Sequence, residues 1–145
     1  MLIMKEDAGY AINAIYDILE SYFGDLKWWP AKSAFEMMTG AVLTQNTSWL
    51  NVEKAIAALK RERMLDHKRI YDAKESYLAG IIRSAGYHTV KAARLKELSR
   101  FFKIECRGSI RTFSSLDTGV LRKKLLTING VGPETADSIL LYAFK

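Results

Sequence analysis

The chain has 145 residues, of which 49% are hydrophobic and 26% are charged, and its formal net charge is +6. This composition suffices for one sizeable core, and we expect a soluble domain. No apolar run approaches a membrane span, no signal-peptide pattern opens the chain, and the single Cys106 excludes an internal disulfide or an iron-sulfur cluster within these residues. A cytoplasmic location is therefore expected.

The first predicted element is an amphipathic helix. Residues 7–23 place Ile12, Ile15 and Leu19 on one stripe, and Gly24 can end the helix. A loop over 25–30 follows and contains Trp28-Trp29-Pro30, where no helical periodicity requires large aromatic side chains. Filling of a core is the alternative role for these tryptophans.

A central helix is predicted over residues 34–45. Ser33 and Glu36 form a capping-box pattern at its start, and nearly all its residues are apolar. Its end, Thr44-Gln45-Asn46-Thr47, is typical of caps and side-chain hydrogen bonds, so the helix delivers polar groups to a surface. A further helix is predicted over 49–61.

Two short helical pieces come next, one through Tyr71 and one over 77–84. Thr89 is predicted to cap a long helix over 90–103 that presents three cations, Lys91, Arg94 and Lys96. No stretch alternates like a β-strand, and about eight helices are expected in all. The fold class predicted from the pattern is all-α.

Basic residues are concentrated between Lys91 and Lys124. This stretch holds ten Lys and Arg against Glu97, Glu105 and Asp117, a local excess of seven. Such a concentration favours a phosphate polymer as partner, because binding it releases counterions. A merely soluble basic surface is the alternative.

The sequence Gly130-Val131-Gly132-Pro133 is the strongest local signal. It follows a helix predicted over 116–127, opened by Ser115, and precedes another apolar run at helical spacing. Two helices should therefore meet at a tight elbow. Pro133 suits the first turn of the second helix, whose unpaired amides can bind an anion such as phosphate. A tight turn between two core helices is the alternative.

Residues 126–136 resemble the helix-hairpin-helix motif of the base excision repair DNA glycosylases related to endonuclease III, in which main-chain amides grip DNA phosphate. The resemblance extends from about Trp28 onward. It implies a helical barrel domain over residues 25–145, with the hairpin, about 116–145, at its mouth. It also implies that the helix within residues 1–24 packs on a segment beyond residue 145, or is otherwise used in self-association.

A glycosylase extrudes its target nucleotide and fills the gap left behind. Gln45 resembles the glutamine that the relatives insert into the emptied duplex, and Tyr87 matches their wedge position. The alternative is a polar helix end and an ordinary loop aromatic. The partner implied is double-stranded DNA with a damaged base, in the nucleoid, and the residues expected to contact it are Gln45, Tyr87, Lys91, Arg94, Gly130, Val131, Gly132, Glu134 and Thr135.

A base pocket is implied by resemblance to the 3-methyladenine DNA glycosylase branch, through Trp28, Trp29, Pro30 and Trp49. An alkylated purine is electron-deficient, so aromatic faces attract it. The family also implies a sodium or potassium ion held in the hairpin by the backbone carbonyls of Leu126, Ile128 and Val131. No other cofactor is expected in this chain.

Glu134 departs from the pattern of the relatives that also cut the strand, which place a lysine nucleophile there. A monofunctional glycosylase for alkylated purines is therefore expected. The aspartate that is catalytic in the family follows the second helix of the hairpin. Asp137 comes too early to match it, so we expect it beyond residue 145 and the chain alone to be inactive. The alternatives are a bifunctional glycosylase and lyase, a non-catalytic DNA-binding module, and a helical protein-interaction domain.

Overall fold

The computed structural model describes residues 3–24, 28–113 and 115–144. Within those ranges the chain forms eight α-helices and no β-strand, so the all-α prediction is confirmed. Residues 25–27 of the predicted loop and residue 145 of the predicted hairpin segment lie outside the described residues. The helices are α1 (Ile3–Phe23), α2 (Ala34–Leu43), α3 (Trp49–Arg61), α4 (His67–Asp72), α5 (Glu75–Ile81), α6 (His88–Ile104), α7 (Thr118–Leu125) and α8 (Pro133–Ala143).

The chain divides into two compact units, residues 1–30 and 31–145. The first unit contains α1, which ends at Phe23. The next residue, Gly24, has φ +65° and donates its N–H to the Glu20 carbonyl at 2.8 Å. Within this unit the predicted stripe is exposed, Ile15 by 57% for example. Packing or self-association of this helix stays a prediction. Among the described residues, no helix combines the length and the apolar character that a membrane crossing needs.

The second unit is built around α2. Every residue from Phe35 to Leu43 is buried, as predicted for a central helix, and α2 packs against α3, α6 and α8. Ser33 caps the helix by accepting the Glu36 N–H at 3.1 Å. The Glu36 carboxylate accepts from Lys32 N–H at 3.3 Å instead of from Ser33, so the capping box is only half formed.

The helices that follow wrap around α6. α4 and α5 both pack against it, and a short 3-10 turn, Arg83–Ala85, leads into its start. The predicted cap at Thr89 is wrong, because α6 begins at His88 and its N-cap is Tyr87. The predicted start of α7 at Ser115 is also wrong, since Asp117 caps the helix by accepting the Gly119 N–H at 2.8 Å.

Candidate nucleic-acid interface

The turn between α7 and α8 is a surface elbow. Gly130 adopts φ +89°, which favours glycine, and Gly132 is the extended N-cap that sets Pro133 at the first position of α8. Val131 is 6% exposed and anchors the turn in the core, whereas Gly132 and Pro133 are exposed. The two glycines thus let the backbone reach the surface on either side of one buried side chain.

The amide groups of this elbow are unequal. The Val131 N–H donates to the Ile128 carbonyl at 3.0 Å, so it is not available to an anion, contrary to expectation. Within the described residues, the N–H groups of Gly130, Gly132, Glu134 and Thr135 have no hydrogen-bond partner. The last two open α8, where the helix dipole favours an anion.

Gln45 lies against the same elbow. Its Nε2 donates to the Gly130 carbonyl at 2.8 Å and to the Thr135 hydroxyl at 3.0 Å, and its Oε1 accepts a hydrogen bond from Arg94 Nη1. The structure therefore brings together four of the residues singled out in the sequence, from the end of α2, from α6 and from the hairpin. These three hydrogen bonds fix the orientation of the Gln45 amide. A glutamine that served only as a polar residue at a helix end would not need them.

Tyr87 is a strained and exposed residue. It has φ 45° and ψ 34°, the left-handed conformation that bulky residues rarely adopt, and it follows Gly86, which also has a positive φ of 66°. Its side chain is 70% exposed. Strain of this kind is concentrated at functional sites, because the surrounding structure must maintain it.

Lys91 is not the surface cation that the helical pattern predicted. It is 1% exposed, and its Nζ donates to the Leu43 carbonyl at 2.8 Å and to the Ala85 carbonyl at 2.7 Å. Burial lowers the pKa of Lys91, and the nearby Arg94 lowers this pKa further. A phosphate contact by Lys91 is excluded by this geometry.

The basic stretch 91–124 is largely engaged by protein groups. Lys96 Nζ donates to the Tyr71 and Ala73 carbonyls. Other cations of the stretch form ion pairs, namely Arg100 with Glu97, Lys103 with Asp72, Arg122 with Asp137 and Lys124 with Glu105. The charge excess read from the sequence therefore overstates the positive charge that is available to a polyanion.

The aromatic residues predicted to form a base pocket fall in different units. Trp28, Trp29 and Pro30 end the first unit, and Trp28 is 72% exposed. Trp49 belongs to the second unit, begins α3, is 37% exposed and donates its Nε1–H to Glu53 at 3.0 Å. A pocket shared by these residues stays a prediction.

A cavity of about 290 Å³ lies between α6 and the hairpin, lined by Glu97, Arg100, Phe101, Ile104, Glu105, Lys124, Thr127 and Ile128. No sequence pattern predicted this cleft. Its charged side chains are paired with one another, Arg100 with Glu97 and Lys124 with Glu105. It contains none of the predicted base-pocket residues.

The carbonyls expected to hold a monovalent cation lie in the elbow. That of Ile128 accepts the Val131 N–H, whereas those of Leu126 and Val131 accept no hydrogen bond within the described residues. Backbone carbonyls are suitable ligands for a hard cation, so the donor set fits. This ion site remains a prediction.

The two acidic residues of α8 near the elbow have different surroundings. Glu134 is exposed in the first turn, where no lysine nucleophile is present. Asp137 forms a bidentate pair with Arg122 of α7, at 2.6 Å from Nε and 3.1 Å from Nη2. Asp137 therefore connects the two helices of the hairpin.

The sequence is similar to known DNA repair proteins. Residues 39–135 match the model of the HhH-GPD superfamily base excision DNA repair protein. A provisionally named DNA repair glycosylase of Methanocaldococcus jannaschii is 49% identical over 97% of this chain and 64% of its own length. An endonuclease III homologue of Arabidopsis thaliana chloroplasts is 30% identical over 80% of this chain and 28% of its own length.

A solved structure of a related glycosylase has the same fold as this chain. The Helicobacter pylori 3-methyladenine DNA glycosylase bound to 1,N6-ethenoadenine superposes with a TM-score of 0.73 at 33% identity, covering 93% of this chain and 64% of that protein. The chain thus spans less than two thirds of the length of these relatives.

Proposed function

The chain belongs to the HhH-GPD superfamily of base excision DNA repair proteins, and from this premise we propose that it binds damaged double-stranded DNA as part of a monofunctional glycosylase for alkylated purines. The proposal rests on the elbow between α7 and α8. There, the N–H groups of Gly130 and Gly132 have no partner within the described residues, beside the fixed amide of Gln45. Backbone phosphate is the ligand that such a group of donors binds.

Recognition of the lesion is assigned to two side chains, one of which is hydrogen-bonded to the elbow. The Oε1 of Gln45, which accepts one hydrogen bond from Arg94, can accept a second one from an orphaned base, and the exposed ring of Tyr87 can stack on a neighbouring base pair. Gln45 is already bonded to the Gly130 carbonyl, at 2.8 Å. Phosphate binding at the elbow and probing of the duplex are therefore mechanically linked in this proposal.

The choice of alkylated purines has two supports. The Helicobacter pylori relative is named for 3-methyladenine and was crystallised with another modified adenine. Trp49 is partly exposed at the start of α3, where its ring can stack on an electron-deficient base. The monofunctional part of the proposal rests on Glu134. By family resemblance this residue stands where the lyases carry an amine nucleophile, and a carboxylate cannot form an imine.

The phosphate site is tested with Gly132→Ala. A Cβ at Gly132 meets nothing within 4 Å, and φ is −86°, so the variant should fold as the parent does. The methyl group would lie at the surface where DNA approaches, and we expect weaker binding to duplex DNA, measured by fluorescence anisotropy across a salt series. Gly80→Ala is the matched control, because a Cβ there also meets nothing within 4 Å but lies in α5.

Equal affinities of the parent and the Gly132→Ala chain would exclude this elbow as the phosphate site. Salt-independent binding of the parent would instead favour a protein-interaction domain. The substrate class is tested with duplexes that contain one 1,N6-ethenoadenine, one thymine glycol or no lesion. Preference for thymine glycol would support an oxidised-pyrimidine enzyme, and equal affinity for all three would leave a non-specific DNA-binding module.

A further inference from the structure

Lys91 connects two segments that are distant in sequence. It lies in the first turn of α6, and its buried Nζ donates to the carbonyl of Leu43, the last residue of α2, at 2.8 Å. The same Nζ donates to the carbonyl of Ala85, the last residue of the 3-10 turn, at 2.7 Å. Neither carbonyl accepts another hydrogen bond within the described residues.

Each of these carbonyls lies two residues before a proposed DNA-probing side chain. Gln45 follows Leu43, and Tyr87 follows Ala85. The main-chain N–H of Lys91 also donates to the Tyr87 carbonyl at 2.9 Å, so Lys91 binds the backbone on both sides of Gly86. This double contact stabilises a turn in which Gly86 and Tyr87 both have positive φ.

A lysine suits this position for physical reasons. Its ammonium group has three donors, enough for two carbonyls of different orientation, and its positive charge is favourable at the carboxyl end of α2. A buried cation is costly unless its hydrogen bonds are made. The carbonyls of Leu43 and Ala85 must therefore both stay within hydrogen-bond distance of the Lys91 Nζ.

We propose that Lys91 is a positioning residue for DNA recognition, which sets the spacing between Gln45 and Tyr87 so that both enter one opened site in the duplex. This inference rests on the proposed function, in which these two side chains probe DNA. Lys91 itself touches no DNA in this arrangement, because it is 1% exposed.

The experiment compares Lys91→Met with Lys96→Met in the full chain. Lys96 lies on the same helix and also donates to two carbonyls, those of Tyr71 and Ala73, which are far in sequence from the probing residues. Both substitutions remove one cation and leave two carbonyls without a donor. Lys96 is only half-buried, so its loss should cost less stability than loss of the buried Lys91, and the affinity ratio, which stability alone does not change, is therefore the quantity compared.

The readout is the ratio of affinities for a duplex with a tetrahydrofuran abasic analogue and for the undamaged duplex. We expect the parent and Lys96→Met to prefer the analogue equally, and Lys91→Met to lose this preference by about tenfold, the effect of one to two hydrogen bonds. In a Gln45→Ala/Tyr87→Ala background, Lys91→Met should cause no further loss of preference. A purely structural role would lower stability but leave the ratio unchanged.

The outcomes separate this inference from the proposed function. A parent that prefers the analogue, with the preference retained in Lys91→Met, would overturn the positioning role alone. A parent that binds DNA without preferring the analogue would overturn the insertion step, and with it this inference. If circular dichroism shows that Lys91→Met does not fold, Lys91→Gln replaces it, because glutamine keeps an N–H donor at shorter reach. Its ratio of affinities for the two duplexes is again expected to fall below the ratios of the parent and of Lys96→Met.

Discussion

The side chain of Arg94 lies across Gly130, so that a Cβ on this glycine would stand 2.5 Å from Cδ and 2.8 Å from Nε of the arginine. Gly130 also has φ +89°, which side chains rarely adopt. Gly130→Ala should therefore lower the free energy of unfolding by about 1–3 kcal/mol, measured by urea denaturation. Because Arg94 donates to Gln45, the displaced arginine should also loosen the Gln45 amide.

Removing the Arg94 side chain separates the cost of the collision from the cost of the backbone strain at Gly130. Gly130→Ala/Arg94→Ala relieves the collision but not the backbone strain, so it should be less destabilised than the sum of the two single variants. Gly132→Ala, with a negative φ and open space around its Cβ, should change stability by less than about 0.5 kcal/mol. A Gly130→Ala chain as stable as the parent would mean that the turn has another accessible conformation.

Local sequence signals were sufficient for the helices and the elbow. The apolar period predicted α2 as central, the bounds of α3 match the prediction, and two glycines with Pro133 predicted the sharp turn between α7 and α8. These features depend on neighbours a few residues apart, and the family resemblance added the residues expected to contact DNA. The contact of Gln45 with the Gly130 carbonyl spans 85 positions and became visible only in the fold.

The errors have a common origin in tertiary structure. Helical spacing put Lys91 on the polar face of α6, but the ends of α2 and of the 3-10 turn meet there and surround it. Counting charges did not reveal that cations such as Arg122 pair across helices. Capping propensity favoured Thr89, whereas the strained turn at Tyr87 sets the start of α6 instead.

Trp49 is expected to contribute to base preference more than to duplex affinity. Trp49→Ala should lower the preference for a 1,N6-ethenoadenine duplex over an undamaged one by about tenfold, because stacking on an aromatic ring is worth about 1–3 kcal/mol per base. The measurement is competitive anisotropy with the two duplexes. Glu53→Gln is the control, since it changes the acceptor of the Trp49 Nε1–H and keeps the ring. An equal loss for both duplexes would identify Trp49 as a packing residue.

Cys106 is expected to be chemically inert in the folded chain. It is fully buried, and burial together with the neighbouring Glu105 carboxylate raises the pKa of its thiol to about 12. Since the thiolate is the reactive form, a disulfide reagent at pH 8 should label the native chain very slowly. The same chain in guanidinium chloride should react at the rate of an ordinary thiol. Similar rates in the two states would show that the region around Cys106 opens readily.

The pair of Asp137 and Arg122 should make the stability of the hairpin depend on pH. The hydrogen bonds from Arg122 hold the pKa of Asp137 below its ordinary value of 3.8. A folded-state pKa below the unfolded one gives stability that is fully present above the unfolded pKa and is lost as the pH falls through the folded pKa. Asp137→Asn should therefore be less stable than the parent at pH 6, with a difference that shrinks below pH 3.8.

The measurement is urea denaturation of both chains from pH 6 down to the acid limit of folding. Asp72→Asn is a matched control, because Asp72 is also exposed but its ion pair with Lys103 is 3.9 Å long, against 2.6 Å for Asp137 with Arg122. A longer ion pair of exposed groups contributes less, so this variant should be closer to the parent at pH 6. A constant gap between the parent and Asp137→Asn at every pH would mean that the asparagine disturbs the turn by its shape, because only loss of the carboxylate charge makes the gap vary with pH.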